Sequence, residues 1–140
     1  WTITAASDFA AGLAGLLGVE RAFGEAFHIT GDAALTWRGI MQEIGLALGR
    51  EPQIVPIPCD FICREYPRFA ATLAGDKIHH AIFDNSKIKR FVPDFECRLT
   101  PRALLRRNLA WFHADPARQT ANPETDRIAD DLIAKWRKSG

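Results

Sequence analysis

The sequence predicts a small α+β domain that is mostly helical and carries a few short strands. Apolar residues recur at three- and four-residue spacing over several stretches, and they alternate with polar residues over shorter ones. The 140 residues, 47% hydrophobic and 25% charged, have the composition of an ordinary soluble globular protein. We therefore expect one domain over residues 1–140, with a helical extension at residues 115–140.

Two helices are predicted in the first fifty residues. The first follows Ser7 as N-cap, and its apolar residues share one face at offsets 0, 4, 7 and 8: Phe9, Leu13, Leu16 and Leu17. Gly12 and Gly15 weaken this helix by about 1 kcal/mol each unless a neighbouring segment packs closely against them. The second helix begins after Thr36, has the clearest amphipathic pattern in the chain and ends at Gly49.

Three short segments are predicted as the strands of the α+β fold. Residues 24–30 alternate apolar and polar side chains, and residues 81–83 form a brief apolar run. Residues 52–58 contain prolines, which favour an edge strand or an extended loop.

The later part of the chain is predicted to be helical. Residues 59–73 are ambiguous, and Pro67 splits them into two short pieces. Thr100-Pro101 and Asn122-Pro123 each combine an N-cap with proline at the first helical position, which is a strong helix start. The terminal helix has one apolar face, formed by Ile128, Leu132, Ile133 and Trp136.

Charge and composition exclude several classes of protein. The net charge is +1, so no global field draws the chain to nucleic acid or to an anionic membrane. No apolar run is long enough to span a bilayer. Three cysteines, an odd number, fit reduced thiols in a cytoplasmic protein better than a disulfide framework. Because the first residue is Trp1, we expect the chain to begin within a longer protein.

The residues that usually carry chemistry do not form a self-sufficient active site. The sequence contains neither a GxGxxG motif after a strand nor a P-loop. Tyr66 is the only tyrosine, and Ala70 follows it four residues later, so no lysine lies one helical turn away to lower its pKa. Cys59 and Cys63 have a spacing that zinc permits, but two further ligands are lacking. We therefore predict no catalytic, cofactor-binding or metal-binding residue in this chain.

One group of basic residues is a candidate binding patch. Arg102, Arg106 and Arg107 share one predicted helix face, which is a pattern that phosphate-binding proteins use. No exposed aromatic residues alternate with them, so we favour a solvated helix face and no nucleic-acid partner.

Six segments, in order, resemble the C-terminal part of the extended short-chain dehydrogenases/reductases, the NAD-dependent epimerase/dehydratase family. They are WTITAASDFA, GEAFHIT, LTWRGIMQEIGLALG, IVPIP, FDNSKIKRFVPDF and TPRALLRRNLAWF. Together they extend nearly to Asp115. The resemblance implies that this chain is the substrate-binding part of a split enzyme. An N-terminal Rossmann half, its expected partner, would bind NAD or NADP and supply the catalytic Tyr and Lys. The chain alone would bind no cofactor and would lack dehydrogenase activity.

The departures from the family pattern bear on the substrate. At the two positions where nucleotide-sugar members of the family carry an arginine for the diphosphate, this chain has Trp1 and Leu73. Diphosphate binding needs charge-assisted donors, so the resemblance implies a smaller or more apolar carbonyl, hydroxyl or enone compound. Trp1 and the segment after IVPIP, with Asp60, Phe61 and Arg64, are the predicted pocket wall.

Two alternatives stay open. A stand-alone ligand- or protein-binding module on the same scaffold would behave as a monomer. The substrate-binding part of a larger enzyme would instead expose an apolar docking surface and self-associate through it.

Overall fold

The computed structural model describes residues 1–139; Gly140, the last residue of the predicted extension, lies outside them. The described residues form seven α-helices and are 58% helical. In chain order these are α1 (Ala6–Leu16), α2 (Trp37–Ala47), α3 (Cys59–Glu65), α4 (Ala70–Thr72), α5 (Ser86–Phe91), α6 (Pro101–His113) and α7 (Pro123–Lys138). The fold is purely helical, so the predicted α+β class is wrong.

The three predicted strands fail for lack of pairing partners. Residues 25–30, 52–58 and 81–83 have no regular secondary structure, and the β pairing within residues 1–139 is one isolated bridge between Thr2 and Ala34. Their backbone groups bond elsewhere. The Asn85 side-chain amide donates to the Thr30 carbonyl at 2.9 Å, and the Thr2 N–H donates to the Ala81 carbonyl at 3.0 Å. Alternating apolar and polar residues indicate that one face of a segment is buried. A β-strand also needs a neighbouring strand to which its backbone can hydrogen-bond.

Three of the predicted helix caps are confirmed. Side-chain oxygens at the N-caps of α2, α6 and α7 accept backbone N–H groups: Thr36 from Gly39 at 3.0 Å, Thr100 from Ala103 at 3.2 Å and Asn122 from Glu124 at 3.1 Å. The predicted cap of α1 is wrong, because this helix begins at Ala6 and its N-cap, Ala5, has no capping side chain. Polar caps were therefore predictable where a proline or a clear apolar pattern fixed the register.

The chain divides into two compact units. Unit 1 comprises Trp1–Pro52 and Ala81–Trp111, and unit 2 comprises Gln53–His80 and Phe112–Gly140. Helices α1, α2 and α5 belong to unit 1, helices α3, α4 and α7 belong to unit 2, and α6 crosses the boundary near its C-terminal end.

Helix α1 turns an unexpected face to the core of unit 1. Ala5, Asp8 and Gly12 are buried, whereas Phe9 and Leu13 are about half exposed and Leu17 is 74% exposed. Of the four apolar residues that share the predicted face, Leu16 is half-buried and packs against the core. A Cβ on Gly12 would lie 2.6 Å from Ile29 Cγ2, and one on Gly15 would overlap Val92 Cγ1. Because the two glycines have no side chain, core residues pack directly against the helix backbone at these positions. Phe9 and Leu13 therefore lie on the outer side of α1.

The core of unit 1 is formed by Ile29, Ile88 and Phe95. Ile88, on the short helix α5, is the most deeply buried large side chain among residues 1–139. Half-buried Leu16 and Val92 pack around this cluster.

The core of unit 2 joins α3 to α7. Phe61 of α3 packs with Ile128 and Leu132 of α7, and the Trp136 ring meets the Phe61 ring edge-on at 5.0 Å between centroids. Segment 115–139 thus supplies two of the three buried residues of this core. No helix within residues 1–139 combines the length and the apolar composition needed to cross a bilayer.

Candidate functional site

The predicted pocket residues fall in both units. Trp1 lies in unit 1, where its backbone nitrogen donates to the Leu35 carbonyl at 2.7 Å and its carbonyl accepts the Leu35 N–H at 2.8 Å. Its ring packs against Trp37, at the start of α2, with 5.2 Å between centroids. Trp1 is therefore held in place, half-buried, by backbone and ring contacts.

The other three predicted pocket residues lie on helix α3, where a loop was expected. Phe61 points into the core of unit 2, whereas Asp60 and Arg64 are exposed. The Arg64 guanidinium lies over the Phe61 ring, 5.0 Å from its centroid. Arg64 Nε also lies 3.7 Å from Glu65 Oε1. The two polar side chains are thus open to solvent, and Phe61 fixes the helix that carries them. Their role in substrate binding stays a prediction.

Unit 2 also contains a cavity that the sequence did not predict. Its volume is about 430 Å³, and it is lined by side chains of α7 and of the turn after α3: Tyr66, Arg68, Glu124, Arg127, Ile128, Asp131 and Lys135. Six of these seven side chains carry a polar or charged group, so the cavity is a polar surface cleft.

A hydrogen-bonded network forms one wall of this cleft. The Tyr66 hydroxyl donates to Asp131 Oδ2 at 2.7 Å, and Lys135 Nζ lies 2.8 Å from the same oxygen and 3.2 Å from Glu65 Oε2. Hydrogen bonds from Lys135 and then Tyr66 lower the pKa of Asp131. The bond to Asp131 raises the pKa of Tyr66, because it is strongest while the phenol keeps its proton.

This network brings a tyrosine and a lysine together, which the sequence spacing did not predict. Lys135 Nζ is 5.4 Å from the centroid of the Tyr66 ring, although 69 positions separate the two residues. A catalytic tyrosine needs a lowered pKa near neutrality, and Asp131 has the opposite effect. The pair therefore holds α7 against the α3 side of unit 2. The sequence contains one indication of this network, because Asp131 and Lys135 are four residues apart on α7 and can therefore form an ion pair.

The basic residues of α6 make local contacts. Arg102 binds Glu43 of α2 through two hydrogen bonds of 2.8 and 3.0 Å, and Arg107 donates to the Ser7 hydroxyl at 3.2 Å. These bonds give two of the three arginines a structural role within unit 1.

The cysteines are unpaired by disulfides. Cys59 and Cys63 lie in α3 with their sulfurs 3.8 Å apart, and the Cys97 thiol donates to the Thr30 carbonyl at 3.4 Å. Within residues 1–139, no group of three or more His, Cys, Asp or Glu side chains is arranged to hold a metal ion.

Comparison with known proteins relates this chain to the oxidoreductases. The chain is 30% identical over 101 residues to a 2'-dehydrokanamycin reductase from Streptomyces kanamyceticus. The matched region makes up 72% of this chain and 28% of that reductase, so the chain spans less than a third of the length of the relative it matches. No protein-family model and no solved structure matches the chain. By this similarity the chain is an oxidoreductase-related domain.

Proposed function

We propose that this chain is the substrate-binding part of an NAD(P)-dependent reductase of the epimerase/dehydratase type. The observation that carries the proposal is its 30% identity to a reductase that is more than three times longer than the matched region. The sequence motifs that resemble the substrate-binding half of that family agree with it. Since the 140 residues lack a GxGxxG motif, the nicotinamide cofactor would bind to a part of the enzyme outside this sequence.

The exposed apolar stripe of α1 supports such a partner. Phe9 and Leu13 lie one turn apart on α1, Leu17 follows directly after the helix, and each of the three is at least 46% exposed. Apolar residues exposed at helical spacing are typical of a surface that another domain covers. We propose that the cofactor-binding part of the enzyme packs against this stripe and covers it. In the isolated chain the same stripe is available to a second copy.

The proposed substrate is a small carbonyl compound without a diphosphate. Trp1 and Leu73 stand at the positions where an arginine pair would bind a diphosphate, and neither side chain can donate charge-assisted bonds. Of the proposed pocket residues, Arg64 and Asp60 would contact the polar groups of the substrate. Phe61 would hold the helix that carries them.

The test is a hydride-transfer assay on the full-length protein, with NADH and NADPH and a panel of small ketones and enones. We expect substrate-dependent oxidation of the cofactor by the full-length protein. The 140-residue chain alone should give none and should not quench the fluorescence of either cofactor. Cofactor binding by the isolated chain, or a full-length protein that binds neither cofactor, would contradict the proposal and favour a stand-alone binding module.

The same assay tests the pocket. Arg64→Ala should raise KM for the substrate at least several-fold and leave cofactor affinity unchanged. Arg68→Ala is the matched control, because Arg68 is an exposed arginine of the same unit that already pairs with Glu124 at 2.9 Å. Equal KM values for the two variants would show that Arg64 does not contact the substrate.

A further inference from the structure

Helix α3 carries two thiols in contact. The Cys59 and Cys63 sulfurs are 3.8 Å apart, one helical turn from each other, and both side chains are half-buried. Two cysteines placed one turn apart on a helix have Cβ atoms about 5–6 Å apart, whereas a relaxed disulfide needs about 3.8 Å. The thiols are therefore close enough to react with each other, and the bond between them would distort the helix.

The position of Cys59 places this distortion in the first turn of α3. Cys59 is the first residue of the helix and follows Pro58, so that only the first turn must tighten. That turn is closed by the hydrogen bond from the Ile62 N–H to the Pro58 carbonyl at 3.1 Å. Phe61 lies between the two cysteines and anchors α3 in the core of unit 2, so a change in the turn reaches the core.

We propose that Cys59 and Cys63 form a reversible oxidation site, an intrahelical disulfide made by exchange with a low-molecular-weight disulfide. The thiolate of Cys63 attacks one sulfur of the small disulfide, whose S–S bond breaks and releases a small thiolate. The thiolate of Cys59 then attacks the Cys63 sulfur, which forms the Cys59–Cys63 bond and releases the second small thiol. The protein dithiol loses two electrons and two protons, and the small disulfide becomes two thiols. This inference does not depend on the proposed function.

The environment of Cys59 favours its role as the second thiol to react. Desolvation, followed by the hydrogen bond with Cys63, raises the pKa of the Cys59 thiol. Less Cys59 is therefore ionised near neutral pH, and its intermolecular reaction is slow. Once a mixed disulfide has formed on Cys63, the attack by Cys59 is intramolecular and its proximity compensates for its low ionisation. Because the product is strained, it is readily reduced again.

The experiment incubates the folded 140-residue chain with oxidised glutathione, blocks free thiols with iodoacetamide and maps tryptic peptides without reduction. Peptide 51–64 contains Cys59 and Cys63, and peptide 91–98 contains Cys97. We expect peptide 51–64 to lose two hydrogen atoms and to escape alkylation, while peptide 91–98 is alkylated. Dithiothreitol should restore both thiols. Alkylation of both thiols in peptide 51–64, or its recovery only as a glutathione adduct, would overturn the proposal.

Two variants and one stability measurement sharpen this test. Cys59→Ser should keep a persistent glutathione adduct on Cys63, because no second thiol resolves it, and Cys97→Ser should behave as the wild type. The oxidised chain should unfold at a lower urea concentration than the reduced chain. An equal or higher midpoint would mean that the bond forms without disturbing α3, and would refute the strained, reversible disulfide.

Discussion

Helices α1 and α7 both have an apolar face, but they turn opposite faces to the cores of their units. In α7, Ile128 and Leu132 are buried, and charged residues occupy the exposed face. In α1 the buried residues are Asp8 and Gly12, and Phe9 and Leu13 are about half exposed. An apolar stripe along a helix therefore does not by itself show that this face is buried in the core of its own unit.

The difference arises from what approaches each helix. The Ile29 and Phe95 side chains pack directly onto the α1 backbone at Gly12, where a Cβ would meet them at 2.6 and 2.8 Å. No such glycine lies in α7, so its core contacts are made by its own long side chains. Unit 1 thus gains close packing at α1 and leaves an apolar surface, whereas unit 2 uses its apolar residues internally.

The largest expected effect compares the same substitution in both helices. Leu132→Ala should destabilise the chain by about 3 kcal/mol, because it opens a cavity beside Phe61 and Ile128. Leu13→Ala, the matched control, should change the unfolding free energy by no more than about 0.5 kcal/mol, since Leu13 is half exposed. Urea denaturation followed by circular dichroism measures both. Similar losses for the two variants would mean that the α1 stripe is buried in solution.

Gly12→Ala should have the next largest effect. In an exposed helix this change is favourable by about 1 kcal/mol, because glycine is a poor helix former. Here the added methyl group would overlap Ile29 and Phe95, both buried, so we expect a net loss of about 2 kcal/mol in the same denaturation measurement. Gly75→Ala is the control, because nothing lies within 4 Å of the Cβ it would add. If Gly12→Ala were stabilising, the packing of α1 on its glycine face would be refuted.

The sequence predicted local features of the fold better than their partners. The caps at Thr36, Thr100 and Asn122 depend on a few neighbouring residues, and they are confirmed. The strands failed because pairing depends on distant segments that single-segment alternation does not describe. The sequence likewise did not show which face of α1 is buried, since Ile29 and Phe95 pack on it from outside the helix.

In the candidate site, too, local features can be read from the sequence, whereas contacts between distant residues cannot. Whether a dinucleotide motif is present is a local property that can be read directly from the sequence. The contact between Tyr66 and the α7 pair of Asp131 and Lys135 joins positions far apart in the chain, and no periodicity predicts it. The pairing of Cys59 with Cys63 required only the knowledge that residues 59–65 are helical, which Pro67 made ambiguous in the sequence.

The smallest expected effect concerns the polar edge of unit 2. The pKa of Asp131 is lowered by hydrogen bonds from Lys135 and Tyr66, so its ionised form stabilises the folded chain above the pKa of the unfolded state, about 3.9. This stabilisation is lost as the pH falls through the lowered folded-state pKa. Asp131→Asn should therefore reduce the urea midpoint at pH 7, and its effect should disappear once the pH is below the lowered folded-state pKa of Asp131.

Asp130→Asn is the matched control for this pH dependence. Asp130 is the neighbouring exposed carboxylate of α7, and within residues 1–139 its side chain makes no hydrogen bond or ion pair. Its midpoint should follow the wild type at every pH. If both variants lost the same stability at pH 7, the effect would come from the overall charge of α7. In that case the bonds from Tyr66 and Lys135 would contribute nothing, and α7 would be held to unit 2 by its apolar face alone.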